Sequence, residues 1–273
     1  MKVVGVIITR NLPDLADELY EEIKDLVPEV YFIENGTDRD KISANANICF
    51  EESKGVSWAV NYAVQKACDE GYDAAWISYN DARFANYKAY LDWSVKMFSN
   101  DSRLAVTTGY WPDVWACNAD KNPAGRGHKG DILIGHFSPL SFMVTTESAR
   151  KIAEVEKRCT PFWDSENYPA HMNTLSTGAA LAGLGMYMMT STEHPVTEKD
   201  VFLEEDKEEL SESARGMNDT DWKQKFGPKA RDTWLDNYFP QLSGKGLNHK
   251  QKRDILIHNI GRAFTESYNN GRK

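Results

Sequence analysis

The chain has few of the features that mark a secreted, membrane-spanning or metal-stapled protein. Its four cysteines (Cys49, Cys68, Cys117 and Cys159) are far apart and form no C-x-x-C pair. That argues against a zinc finger or a disulfide frame and for a reducing compartment, the cytoplasm. The opening apolar run Val3–Thr9 is too short for a signal peptide and leads into Arg10-Asn11, not a small-residue cleavage site. No apolar stretch approaches the length of a membrane span. Glycine is missing where phosphate-binding loops most need it. The first strand–helix junction, Thr9-Arg10-Asn11-Leu12-Pro13, contains neither G-x-G-x-x-G nor G-x-x-x-x-G-K-[ST], so backbone amides cannot cradle a dinucleotide or a triphosphate in those ways. Repeats and low-complexity tracts are absent as well.

Positive charge is scarce and unevenly placed. The formal net charge is −9, yet Phe239–Lys273 carries seven basic residues against two acidic ones, a local +5 that leaves −14 on the rest. An acidic body with a basic end is not a general nucleic-acid binder, although it permits a local anionic contact. What the chain does have is ordinary globular composition, 41% apolar and 27% charged over 273 residues, enough for one sizeable core with an appendage.

Periodicity places the elements. Val3–Thr9 is a continuous apolar run, rich in β-branched residues, that suits a strand buried on both faces. Pro13 opens a helix with Leu15, Leu19, Ile23 and Leu26 on one face, and Pro28 closes it. Val30–Ile33 is a second strand, ended by Glu34-Asn35-Gly36-Thr37-Asp38. Ser53–Glu70 is expected to be helical, with Val56, Ala59, Val60, Ala63, Val64 and Ala67 along one side. Ala74–Ser78 is the third strand, 86–98 a helix and Leu104–Thr108 another strand. This alternation predicts an α/β fold with a mostly parallel central sheet and crossover helices. Further on, Ser141–Thr145 and Met186–Thr190 suggest strands, and Glu147–Arg158 and Leu175–Leu184 suggest helices. Composition turns strongly charged near residue 200. The expected organisation is a 1–200 domain followed by a mainly helical, basic-ended 201–273 extension.

The most informative segment is Trp76-Ile77-Ser78-Tyr79-Asn80-Asp81. An apolar strand there delivers a carboxamide and a carboxylate to its C-terminal lip, where open α/β sheets bind ligands. A lone Asp at that place suits a hard divalent cation that also touches a diphosphate, and it equally suits an Asn-Asp turn into the next helix. Glu34 and Asn35, at the end of the second strand, offer acceptors for a nucleobase N–H or ribose hydroxyls.

The order of these segments resembles a GT-A type glycosyltransferase, nearest the large family 2 group, over roughly residues 1–197. Ile33-Glu34-Asn35-Gly36-Thr37-Asp38 stands where that family has its Val-Asp-Asn/Asp-Gly-Ser-Thr-Asp nucleotide segment. Gly55-Val56-Ser57-Trp58-Ala59-Val60-Asn61 is similar to its Gly…Ala-Arg-Asn helix start. Trp76–Asp81 is similar to its Leu-Asn-Asn-Asp form of the D-x-D motif. Phe162-Trp163-Asp164-Ser165-Glu166 sits where a catalytic-base segment is expected, and Gly183 or Gly185, the strand Met186–Met189 and His194 follow the family's ending. Three departures stand out. Tyr79 replaces the first acid of D-x-D, Glu34 stands for Asp, and Val60 replaces the usual Arg.

The resemblance implies a glycosyltransferase that uses a nucleotide-diphosphate sugar, with a UDP-sugar favoured, and Mn²⁺ or Mg²⁺ held by Asp81 and His194. Donor contacts fall to Thr9, Glu34, Asn35, Asn61, Asn80 and Asp81. Asp164 or Glu166 is the candidate base that takes the acceptor's proton, and a single base implies inversion at the anomeric carbon. Candidate acceptors are a saccharide or a hydroxylated base in phage-type DNA, the latter placing the protein in host cytoplasm. The alternative is a non-catalytic GT-A-like module that binds a nucleotide or glycan. A sugar-phosphate nucleotidyltransferase shares the sheet but expects a Gly-rich N-terminal loop.

Overall fold

A computed structural model of the chain describes residues 1–109, 132–133, 140–155, 175, 179, 182, 184–189 and 196–198. All of them belong to the compact unit that contains Met1–Lys199. The first strand is as expected: β1 spans Val3–Thr9 and every one of its residues is buried. Its partners are β2 (Val30–Asn35) and β4 (Ala74–Tyr79), both parallel, with Thr9 opposite Glu34 and Ile8 opposite Tyr79. Helix α1 (Pro13–Ile23) starts on its proline and buries Leu15, Leu19 and Ile23. That fits the fixed φ of a first-turn proline and an apolar stripe at helical spacing.

Several boundaries differ from the sequence expectation. Strand β2 continues through Glu34 and Asn35, because both are paired to a short edge strand, β3 (Ile48–Phe50), and Glu34 to β1 as well. Helix α2 spans Val56–Asp69 and begins only after Gly55, whose φ of +82° ends the lead-in loop. Helix α3 (Tyr87–Asn100) is capped by Asn86, whose Oδ1 accepts from the Ala89 N–H at 2.9 Å. Between β4 and α3 lies a strand that periodicity did not suggest, β5 (Ala82–Phe84).

The remaining strands of the main sheet are β6 (Leu104–Thr108), β7 (Ile132–Leu133), β8 (Ser141–Thr145) and β9 (Gly185–Met188), and α4 covers Thr146–Val155. The sheet order is β3-β2-β1-β4-β8-β6-β9-β7. Strand β8 runs antiparallel to both β4 and β6, and β7 antiparallel to β9, while the other pairs are parallel. A separate ribbon pairs β10 (Val196–Glu198) antiparallel with β5. Of the expected Leu175–Leu184 helix, Leu175 and Ala179 are helical and buried. The 201–273 extension lies outside the described residues.

The core around β4 is polar at one point. Trp76, fully buried, donates its Nε1–H to Ser141 Oγ at 3.0 Å, and Ser141 Oγ also contacts Ser78 Oγ (2.7 Å) and donates to the Ile77 carbonyl (3.1 Å). Ser141→Ala removes the acceptor of a buried indole N–H, and leaving such a donor unsatisfied costs about 1–3 kcal/mol. Urea denaturation is expected to show a stability lower by that amount, read from a reduced midpoint with an unchanged slope.

Candidate functional site

The chain enters the sheet at β1, adds β2 and β3 on one side, and then crosses to β4 on the other. The C-terminal ends of β1 and β4 therefore flank the reversal of strand order, the place where open α/β sheets form a ligand crevice. Thr9 ends β1, and Asn80-Asp81 make the turn that follows β4. Asn80 joins the two strand ends. Its side-chain N–H donates to Thr9 Oγ1 at 3.0 Å and its backbone N–H to the Ile8 carbonyl at 3.3 Å.

Asp81 follows directly. Its Oδ1 is buried and accepts no hydrogen bond. Burial pushes its carboxyl above the ordinary carboxylate range, opposed by a hydrogen bond from its own backbone and by the Arg83 guanidinium. A charge-bearing oxygen taken from water without a donor is costly unless a ligand meets it. Arg83 anchors the turn, with Nη1 donating to the Asn80 and Ala82 carbonyls (2.6 and 2.9 Å) and Nη2 to the Leu15 carbonyl (2.9 Å) and Glu18 Oε2 (3.1 Å).

Glu34 and Asn35 are buried at the end of β2 and hold loops together. Glu34 Oε1 accepts from the Ser43 N–H at 3.0 Å and Oε2 from the Thr37 hydroxyl. Thr37 Oγ1 in turn accepts from the Asn11 N–H (3.2 Å), and Asn11 Oδ1 accepts from the Asp38 N–H (2.8 Å). Asn11 adopts a left-handed φ of 56°, a conformation that asparagine tolerates better than most residues. A carboxylate has lone pairs to spare beyond two bonds, so Glu34 keeps acceptor capacity. Asn35 Oδ1 accepts from the Lys54 N–H at 3.0 Å, tying β2 to the lead-in of α2. Asn61, in the second turn of α2, donates to the Ser57 carbonyl at 3.1 Å.

The structure thus brings Thr9, Asn80 and Asp81 together at one lip and sets Glu34 beside Thr9 in the β-ladder. Asp164, Glu166 and His194 lie outside the described residues. The chain that follows His194 returns to the strand leaving Asp81, since Glu198 pairs with Ala82. Sequence reasoning missed Asn11, Ser43 and Arg83. Asn11 bonds Thr37 and Asp38, Ser43 bonds Glu34 and Asp17, and Arg83 reaches Leu15 and Glu18, all distant in sequence; the one local signal was an asparagine just before Leu12-Pro13.

Among the described residues no cluster of three or more His, Cys, Asp or Glu is placed to hold a metal ion. The orphaned Oδ1 of Asp81 is an oxygen that a hard cation could take as one of its ligands. A cavity of about 470 Å³ lies at the opposite end of the sheet, lined by Cys68, Tyr72, Asp73, Asp101, Thr146 and Arg150 among others, away from this lip.

No protein-family model and no curated protein matches the chain. Solved structures do. GalNAc-T7 with UDP, GalNAc and Mn²⁺ superposes with a TM-score of 0.51 at 13% identity, covering 72% of this chain and 44% of that one. The chain thus spans less than half the length of that protein. Mannose-1-phosphate geranyltransferase from Thermus thermophilus gives 0.47 at 13% identity (72% and 76% covered), and A197 from STIV 0.45 at 13% (75% and 87% covered). At such identities the likeness is one of fold, and the first of the three carries it: the chain has a GT-A-like α/β fold with a mostly parallel sheet.

Proposed function

We propose that the protein is a glycosyltransferase that moves a sugar from a nucleotide-diphosphate donor, a UDP-sugar in the first instance, to an acceptor hydroxyl. The observation that carries this reading is the unpartnered, buried carboxylate oxygen of Asp81 at the C-terminal lip of a GT-A-like sheet. Thr9, Asn80 and Asp81 line the diphosphate side, and Glu34 and Asn35 the base and ribose side. Asn61 is assigned to the donor by resemblance. Asp81 and His194 would hold Mn²⁺ or Mg²⁺, which supplies positive charge against a phosphate leaving group. Asp164 or Glu166 takes the proton of the acceptor hydroxyl as its oxygen bonds to the anomeric carbon and the bond to the phosphate oxygen breaks, with inversion. The basic-ended 201–273 extension suits an anionic acceptor, a hydroxylated base in DNA; a saccharide is the other candidate.

The test is a thermal-shift series with UDP, GDP and dTDP, each with Mn²⁺ and with EDTA, followed by transfer assays with the corresponding sugars. A ligand selective for the folded state raises Tm by mass action, by RT ln(1 + [L]/Kd) in free energy. The expected result is one nucleotide whose shift needs Mn²⁺, with hydrolysis or transfer of its sugar. Binding without turnover would identify a nucleotide-binding module instead, and no response to any nucleotide overturns the proposal.

A further inference from the structure

Arg83 is the least expected residue near the lip. Its side chain is only 15% exposed, and its four bonds are all short enough to be real hydrogen bonds. Three of the four acceptors are backbone carbonyls. Two of these, Asn80 and Ala82, bracket Asp81 on either side, and the third, Leu15, belongs to the first turn of α1. The Asn80–Ala82 turn is thereby tied to an element 65 or more residues earlier in the chain. Lysine, with a single nitrogen on a flexible stem, lacks the planar two-nitrogen fork that spans these acceptors. Glu18 neutralises part of the charge, so the arginine sits against carbonyls without an unpaired buried cation.

We infer that Arg83 is the positioning residue for Asp81, holding the turn rigid so that the carboxylate is presented at the lip in one geometry for the donor's cation–diphosphate group. This rests on the donor-binding role given to Asp81 above. A residue that orients a metal-binding carboxylate is commonly worth about 10–100-fold in metal affinity. A mere staple between β5 and α1 would instead lower stability and leave the metal-dependent part of binding alone.

The experiment uses the full chain and two readouts. UDP affinity is measured by thermal shift with Mn²⁺ and with EDTA for wild type, Arg83→Gln, Arg83→Lys, Glu18→Gln, Asp81→Asn and the Arg83→Gln/Asp81→Asn pair. Amide hydrogen exchange of residues 80–82 is followed without ligand. Arg83→Gln and Arg83→Lys are expected to lose about tenfold or more of the Mn²⁺-dependent affinity and little of the rest. Glu18→Gln keeps all three carbonyl bonds and stays near wild type. The double variant binds no worse than Asp81→Asn, because residues acting through one another are not additive. Faster exchange at 80–82 in Arg83→Gln, with the remaining protected amides unchanged, is the ligand-free signature. Wild-type Mn²⁺-dependent affinity in both Arg83 variants, or full additivity in the double variant, overturns the inference. If wild type binds no nucleotide, the function proposal fails on its own, and exchange decides the clamp: unchanged protection at 80–82 overturns it.

Discussion

Asp81→Asn is expected to make the protein more stable at neutral pH and nearly inactive. The two effects have one cause. Burial raises the carboxyl's pKa in the folded state above its unfolded value of 3.8, with Arg83 and the local backbone only partly opposing it. The folded chain therefore binds more protons than the unfolded chain just above that value, so stability falls as pH rises through the window between the two pKa values. Below the unfolded value the carboxyl carries no penalty; above the folded value it carries all of it. Asparagine has the same shape and does not titrate. The Tm of Asp81→Asn should exceed wild type at pH 7, and the gap should close as pH is lowered past the ordinary carboxylate range. Transfer should fall about a thousandfold or more, since charge stabilisation at a phosphate leaving group is worth several kcal/mol. Parallel Tm curves for the two proteins across the acid-to-neutral range, with no gap at either end, would show that the carboxylate is not strained by burial. Storing that strain is a familiar cost of a working site.

Much of the sheet was legible because its central strands are unambiguous. Val3–Thr9 is apolar along nearly its whole length and can be little else than a strand covered on both faces. The second strand was cut short at Ile33 because Glu34-Asn35-Gly36 has the chemistry of a turn. What keeps Glu34 in the ladder is a pair of donors, Ser43 N–H and Thr37 Oγ, that only the folded loop supplies. Strands β3 and β5 have three residues each, too few for any period to show, and exist because β2 and β10 are there to pair with them. The sequence also marked Ser141–Thr145 as a strand but not its direction; a segment buried throughout looks the same either way. At the site, Asp81 was legible from its place at the end of an apolar run. Arg83 was not, because three of its four acceptors are carbonyls, which every residue has.

Gly36→Ala should be more damaging than the same change at Gly5, Gly55 or Gly71. Gly36 follows β2 with φ +81°, and its N–H donates to the Phe50 carbonyl at 3.1 Å, closing the β2 end against β3. A Cβ built there would meet Ser53 N at 2.2 Å, Ser53 Cα at 2.7 Å and the Glu52 carbonyl carbon at 2.8 Å. All three atoms are backbone, so no side chain can swing aside, and residues 52–53 must move. Lys54, next in the chain, donates its N–H to Asn35 Oδ1, so the same movement pulls on the β2 lip. Alanine at a left-handed φ costs about 1 kcal/mol, and overpacking adds about 1–3. Gly55, in the lead-in to α2, provides the control. Its φ of +82° and ψ of 153° lie in a region essentially reserved to glycine, yet a Cβ there has nothing within 4 Å, so Gly55→Ala carries the conformational cost alone. Chemical denaturation should therefore show a loss of about 1–3 kcal/mol for Gly55→Ala and of about 2–4 kcal/mol for Gly36→Ala, the larger loss falling on the change that meets backbone atoms. Equal losses for the two variants would mean that residues 52–53 do not press on the end of β2. The same pair of variants separates fold from site, because only the change at Gly36 pushes the chain that steadies Asn35.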